Sequence, residues 1–475
     1  MLFNSQVFFL FLSLFAVAYF LSHGRLRLWV ICLASYFFYG WWDWRFMGLL
    51  FGMTVICWYS AIRLTDAVDQ RRRNYWMVVA IASCLTILGF FKYFNFFQAN
   101  AVVLLALLGV KASWPTIHIV LPIGISFFMF QGLSYVVDVA RGDLPVERSL
   151  LKVATFKAFF PQLVAGPIVR AHDFMPQLHS DRRPTANDLI IGVCLMAWGY
   201  VMKVGMADSL AAIVDQRFQA PLAQSPVDML IGVLFYAFQI YGDFGGYSLI
   251  AIGVARCFGF HFLLNFKRPY FADSFSDFWR RWHISLSSWL RDYLYIPLGG
   301  NRGSEAKTYR NLTLTMLLGG LWHGAAWNFV FWGALHGSYL SLERMFRPKM
   351  PVVWPLGRVG QWGKRLLSMT VVFLWVCVAW VLFRTASVGD AWCVFSKIAS
   401  PDVFDISAMT SKLQVCKGFF LIGIVVIGDI IWSGADLEAF VLRHTWLCGA
   451  FVAFCCLAIS LLGTFYGNSF IYFQF

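Results

Sequence analysis

Charge is scarce in this chain. Of its 475 residues 13% are Asp, Glu, Lys or Arg, while 60% are hydrophobic and 19% aromatic. A soluble domain carries about 25% charged residues. A water-soluble protein of this composition has nowhere to put its apolar surface, so soluble classes are excluded. Acidic residues are scarcer still, 24 against 38 basic ones, for a net charge of +14. Cytoplasmic loops of inner-membrane proteins collect such an excess, and it argues for no nucleic-acid partner. The chain also lacks the HExxH and CxxC spacings of metal sites and the GxSxG elbow of serine hydrolases. Its eleven cysteines are scattered, several inside apolar runs (Cys84, Cys377, Cys455, Cys456), as buried small residues are. No internal repeat of the kind common in secondary transporters is present, nor the alternating ten-residue segments of an outer-membrane barrel. No basic region precedes the apolar stretch Val7–Leu21, and no small-residue cleavage site follows it. That stretch is therefore a retained first helix and not a signal peptide.

Apolar runs of spanning length are present instead, and they predict an all-α polytopic membrane protein. Spans fall near 7–22, 28–41, 46–62, 76–97, 116–140, 188–214, 228–260, 310–322, 326–342, 368–384, 418–433 and 446–466. The loop RLTDAVDQRRRNY is the strongest early basic cluster. Placing Arg71–Arg73 in the cytoplasm puts the N-terminus in the periplasm. Residues 150–185 are apolar but short and broken by proline and glycine, which suits re-entrant or interfacial helices. A single integral-membrane domain over 1–475 is expected, with a core at about 115–345 and C-terminal helices and an aromatic tail over 366–475.

Polar residues concentrate between Asp273 and His336, a stretch with three of the nine histidines and six tryptophans. Polar groups in hydrocarbon are costly and mark functional sites by default. In FWRRWHISLSSWLRDYLY, Phe278, Trp282, Leu286 and Trp289 stand at helical spacing, with Arg280, Arg281, Arg291 and Asp292 on other faces. Mixed Trp and Arg predict an interfacial helix. His283 lies within it, as either a functional ring or one that reaches for water. His323 lies in GGLWHGAA, where small residues open room around the ring. His336 follows thirteen residues later, roughly 220° around one straight helix, so the two rings meet only if the helix is broken. Asp243, in YGDFGGYS, is either a packing carboxylate or one that lines a cavity and orients a histidine or pairs an arginine. His118, His172, His261 and His444 read as loop or interface residues.

FWRRWHISLSSWLRDYLYIPLGGNR followed by LTMLLGGLWHG closely resembles the membrane-bound O-acyltransferases of bacteria, in particular those of alginate and cellulose O-acetylation. LPIGISFFMFQGLSYVVDV, FFPQLVAGPIVR, QIYGDFGGYSLIAIG and FIYFQF extend the resemblance over nearly the whole chain. It implies a helical bundle with re-entrant and interfacial helices around a central tunnel. It marks His323 as the catalytic residue and His283 as the second site, a histidine or an amide residue among relatives. On that basis His323 is the general base and His283 polarises or orients the thioester carbonyl. Asp243, Trp322, Arg280, Arg281 and His336 are candidates for lining the tunnel or orienting the site. The resemblance implies acetyl-CoA as donor, with no cofactor permanently bound. Lys267–Arg268, Arg280–Arg281 and Lys307–Arg310 are candidates for its phosphates, the alternative for each being the ordinary basic excess of cytoplasmic loops. The resemblance places the chain in the inner membrane, among its lipids, and implies a periplasmic or membrane-anchored SGNH-type acetyltransferase as partner. FIYFQF also looks like the C-terminal signature of a small helper protein of teichoic-acid D-alanylation, which makes Tyr472 a candidate acyl carrier; the alternative is an aromatic anchor. The substrate alternatives are peptidoglycan O-acetylation or, in a different class, transport of a polysaccharide precursor.

Overall fold

Short polar residues at the edges of apolar runs start many of the helices. Ser5, Asp69, Ser149, Ser274, Ser304 and Ser387 each stand one residue ahead of a helix and accept a backbone N–H from its first turn. The computed structural model describes residues 1–111, 117, 119–164, 166–179, 183–346, 358–431, 434–464 and 470–471. Among these residues the chain is helical and holds no strand. It divides into two compact units, one of Met1–Gly192 with Ala251–Leu263, the other of Val193–Ile250 with Leu264–Phe475.

The first unit holds α1 (Gln6–Leu21), α2 (Gly24–Gly40), α3 (Arg45–Thr65), α4 (Gln70–Leu107), α5 (Ile125–Arg141) and three short helices, α6 (Leu150–Ala158), α7 (Phe160–Leu163) and α8 (Ala171–His179). The short helices fall where proline and glycine predicted broken ones. The span expected near 76–97 is part of one continuous 38-residue element, α4, with a π-turn at Gly89–Tyr93. The span expected near 116–140 is a helix only from Ile125, because Gly124 in a left-handed conformation (φ 74°) stops it from starting earlier. His118 lies outside the described residues.

Two long helices, α9 (Ala186–Gln219) and α10 (Pro226–Cys257), run from one unit into the other. The second unit continues with α11 (Phe275–Arg281), α12 (Ile284–Leu290), α13 (Glu305–His323), α14 (Trp327–Phe346), α15 (Arg358–Arg384), α16 (Val388–Ile398), α17 (Lys412–Ile431), α18 (Gly434–Arg443) and α19 (Thr445–Leu462). Among the described residues seven helices, α3, α4, α9, α10, α15, α17 and α19, are long and apolar enough to cross a membrane. In this unit α9 and α10 cross so closely that a methyl group on Gly246 would fall against the Gly199 carbonyl. Beside the crossing, the Lys203 ammonium lies 2.6 Å from both Asp208 and Asp243, all three buried. Asp243 is thus a buried carboxylate beside a close helix crossing, as one of the two readings had it, and its partner is a lysine and not a histidine or arginine.

Candidate active site

The single interfacial helix expected over FWRRWHISLSSWLRDYLY is two helices. The break falls between α11 and α12, where His283 takes a left-handed backbone (φ 43°, ψ 55°). That conformation is strained for a residue with a Cβ and persists only where its surroundings impose it. Here the irregular segment around Asn265 imposes it. Lys267 N–H donates to the Arg281 carbonyl at 2.9 Å, and Ile284 N–H to the Asn265 carbonyl at 2.8 Å. The effect is to turn the His283 ring inward. It is completely buried, not reaching for water, and lies against Phe244 and Phe266.

Asn265 also fixes which nitrogen of that ring carries the proton. Its Oδ1 accepts from the Ser285 N–H at 3.3 Å and the Ser285 hydroxyl at 2.8 Å, and lies 3.1 Å from His283 Nδ1. A backbone N–H can only donate, so this atom is the amide oxygen, and Nδ1 must bear the hydrogen. The neutral ring therefore presents its lone pair at Nε2. Burial lowers the His283 pKa to about 3, which keeps the ring neutral at working pH. With Nε2 an acceptor, His283 fits the holding of a hydroxyl better than the polarising of a carbonyl.

His323 is the last residue of α13. Next to it the chain turns through an extended Gly324 into α14. The hairpin is tight: a methyl group on Gly320 would meet the Phe329 carbonyl, and one on Gly333 the Met316 carbonyl. The small residues thus close two helices on each other more than they open room for the ring. The His323 imidazole is buried among Trp322, Trp332 and Phe383, with ring centroids 4.9, 5.0 and 5.2 Å away. The two imidazoles, His283 and His323, are 6.4 Å apart, and Trp322 flanks both, 5.9 Å from His283. The broken helix also changes the place of His336. Trp332 lies 4.6 Å from the His336 ring and 5.0 Å from that of His323, so one indole separates the two histidines.

On the other side of Trp279 lies a cavity of about 930 Å³. Arg280, Arg291, Arg344, Tyr295 and Tyr309 line it together with apolar Leu290, Met316 and Leu340. Arg344 is paired with Glu305 at 3.1 Å and Arg291 with Asp292 at 2.6 Å, while Arg280 is exposed and has no partner among the described residues. Arg281 is not on this wall; it pairs with Asp277 one turn back on α11 at 2.7 Å. The wall is held in place by Glu343 of α14, which accepts the N–H groups of Phe275 and Ser276 at 2.6 and 3.1 Å and so caps α11.

Tyr472 lies outside the described residues. Just ahead of it, Ile471 N–H donates to the buried Asp243 carboxylate at 2.7 Å, and Phe470 packs on Phe244 and Tyr247. Phe244 is the ring that also touches His283, at 4.7 Å.

A family model for the membrane-bound O-acyltransferases matches residues 143–388. A probable alginate O-acetylase of Azotobacter vinelandii is 43% identical over 437 residues, 90% of this chain and 84% of that protein. The chain belongs to the membrane-bound O-acyltransferase family. A second probable alginate O-acetylase, from Pseudomonas aeruginosa, is 42% identical over 419 residues, 86% of this chain and 77% of that protein. A peptidoglycan O-acetyltransferase of Helicobacter pylori is 34% identical over 427 residues, 82% of this chain and 78% of that protein. The protein is thus an acyltransferase and a multi-pass membrane protein.

Sequence reading missed Asn265, Trp332 and Lys203. Nothing local marks Asn265 as the partner of a histidine eighteen residues later. Trp332 is one tryptophan among many. Lys203 did carry a signal, as a charge that with Asp208 interrupts the apolar run LMAWGYVMKVGMADSL.

Proposed function

We propose that the chain takes acetyl groups from cytoplasmic acetyl-CoA and passes them across the inner membrane for O-acetylation of an exported polysaccharide of the alginate or cellulose type. The observation that carries this reading is the arginine-lined cavity on one side of the Trp279 wall and the His283–His323 pair beyond it. Guanidinium groups suit phosphates, and a cavity of this size suits a cofactor-sized donor. The similarity to two alginate O-acetylases supports an exopolysaccharide acceptor over peptidoglycan, for which the relative is more distant. A periplasmic or membrane-anchored SGNH-type acetyltransferase completes the transfer to polymer, and the N-terminus faces the periplasm.

In this mechanism His323 is the general base and His283, through Nε2, holds the acceptor hydroxyl. The base takes the hydroxyl proton as oxygen attacks the thioester carbonyl carbon. The C–S bond then breaks, and the thiolate recovers the proton from the imidazolium. Tyr472 is the hydroxyl we favour as first acceptor. Asp243 and Phe244 support this choice, since they hold Ile471 and Phe470 beside the His283 ring. An aryl ester transfers its acyl group onward more readily than an alkyl ester because phenoxide is the better leaving group.

Purified protein incubated with [acetyl-¹⁴C]acetyl-CoA tests the reading. An acyltransferase releases free coenzyme A and, with its partner and oligosaccharide, labels the sugar. A precursor transporter leaves the thioester intact, and that outcome would sink the proposal.

A further inference from the structure

His336 is completely buried, and neither of its ring nitrogens has a hydrogen-bond partner among the described residues. Its neighbours do not supply one. The ring is enclosed by Phe278, Trp279, Trp332 and Tyr339, with centroids 6.0, 5.1, 4.6 and 5.6 Å away. Two of those neighbours share the condition: the indole N–H groups of Trp279 and Trp332 are also buried without a partner among the described residues. A neutral imidazole always carries one N–H, and an indole N–H can only donate. Three adjacent side chains therefore present three buried donors, and the one acceptor among them, the bare ring nitrogen of His336, pairs with none of them. Buried polar groups are nearly always satisfied, and each exception calls for an explanation. Aromatic faces recover only part of a hydrogen bond, so packing alone does not provide one.

Their positions do. Trp279 lines the arginine-bearing cavity. His336 lies behind it, then Trp332, then the His323 ring. The donors form a line from the cavity to the candidate base. What crosses that line in an acyl transfer is a short apolar group with one strong acceptor, its carbonyl oxygen. We infer that Trp279, His336 and Trp332 form a lane of hydrogen-bond donors that holds the carbonyl oxygen of the incoming acyl thioester, His336 at its centre. The aromatic faces take the acyl methyl group and the N–H groups take the oxygen. This inference rests on the proposal that the cavity admits the acyl-CoA donor.

The test compares binding of acetyl-CoA with that of S-ethyl-coenzyme A, a thioether that keeps the nucleotide and lacks the carbonyl oxygen, to the full-length protein in detergent. Wild type should prefer acetyl-CoA about tenfold, the order expected of one buried hydrogen bond. In His336→Phe the preference should fall to within about twofold, while the melting temperature holds or rises because a buried orphan donor is gone. His336→Gln, which keeps an N–H, should retain most of the preference, and Trp332→Phe supplies a second loss variant should His336→Phe fail to fold. Arg291→Ala with Arg344→Ala should weaken both ligands alike. An undiminished preference in His336→Phe and Trp332→Phe overturns the lane while leaving the donor cavity standing. Equal binding of the two ligands by wild type does the same. Binding of neither by wild type, with the arginine variants no different, overturns the donor reading and the lane with it.

Discussion

Replacing Asn265 by alanine removes the acceptor that faces the buried His283 Nδ1–H and the half-buried Ser285 N–H, at 3.1 and 3.3 Å. An orphaned buried donor costs about 1–3 kcal/mol and a half-buried one less, so the variant should lose about 1–4 kcal/mol of stability, towards the low end where water enters the space left behind. The effect on activity has a separate origin. Without Oδ1 nothing fixes the proton on Nδ1, and the Nε2 lone pair is no longer held towards the hydroxyl it is to receive. Losing one such orienting bond corresponds to about 1.5–3 kcal/mol in the barrier, or about 10- to 100-fold in rate. The initial rate of coenzyme A release in proteoliposomes, measured beside thermal unfolding, separates the two. Ser285→Ala is the control: it removes one donor to Asn265 but leaves the His283 bond, and should lower stability slightly with the rate within about threefold of wild type. An Asn265→Ala variant that folds and works within twofold of wild type would refute the assignment of the tautomer and the role built on it.

His323→Ala should abolish polymer acetylation while inserting into the membrane normally, as read by acetyl ester content and by protein level in the membrane fraction. Tyr472→Phe should lose polymer acetylation, and in wild type an acetylated peptide containing Tyr472 should be trappable by mass spectrometry; full activity in the variant leaves the tail as an anchor. The low pKa of His283, about 3 against an ordinary 6.5, also has a sign. Below pH 6.5 the unfolded chain binds a proton that the folded chain does not, so stability falls as pH drops from 6.5 towards 3, with a limiting slope of about 1.4 kcal/mol per pH unit. Burial lowers the His336 pKa to about 3 as well, so melting temperatures between pH 7 and 5 should fall at least this steeply, and His283→Asn should remove the His283 share and leave that of His336. Lys203→Met leaves the Asp208 and Asp243 carboxylates buried without their cation, at about 3–5 kcal/mol, and should appear as a loss of folded protein in detergent.

The architecture was largely legible in one dimension because membrane burial is a local, compositional demand. Apolar runs of sufficient length must be helices in lipid, and the runs near 46–62, 188–214 and 368–384 are helices long and apolar enough to span. Proline and glycine over 150–185 broke the chain where local backbone preferences said they would. His323 was legible as a polar ring in an apolar hairpin. What local pattern predicted badly was continuity. The 3.6-residue spacing of Phe278, Trp282, Leu286 and Trp289 is compatible with one helix, yet the backbone turns left-handed at His283, because Asn265 and Lys267, sixteen and more residues earlier, bond across the break.

Sequence alone determined the class of protein and pointed to the stretch and the histidine on which the proposed chemistry rests, since each follows from composition or from a motif contiguous in the chain. Tertiary structure alone decided which nitrogen of His283 carries the proton, that Asp243 answers to Lys203 and to the backbone of Ile471, and that His336 stands one indole from His323. Each of these depends on groups between four and two hundred and twenty-eight residues apart, and a contact a few ångströms long is specified by the packing that brings its ends together, not by the residues on either side of it.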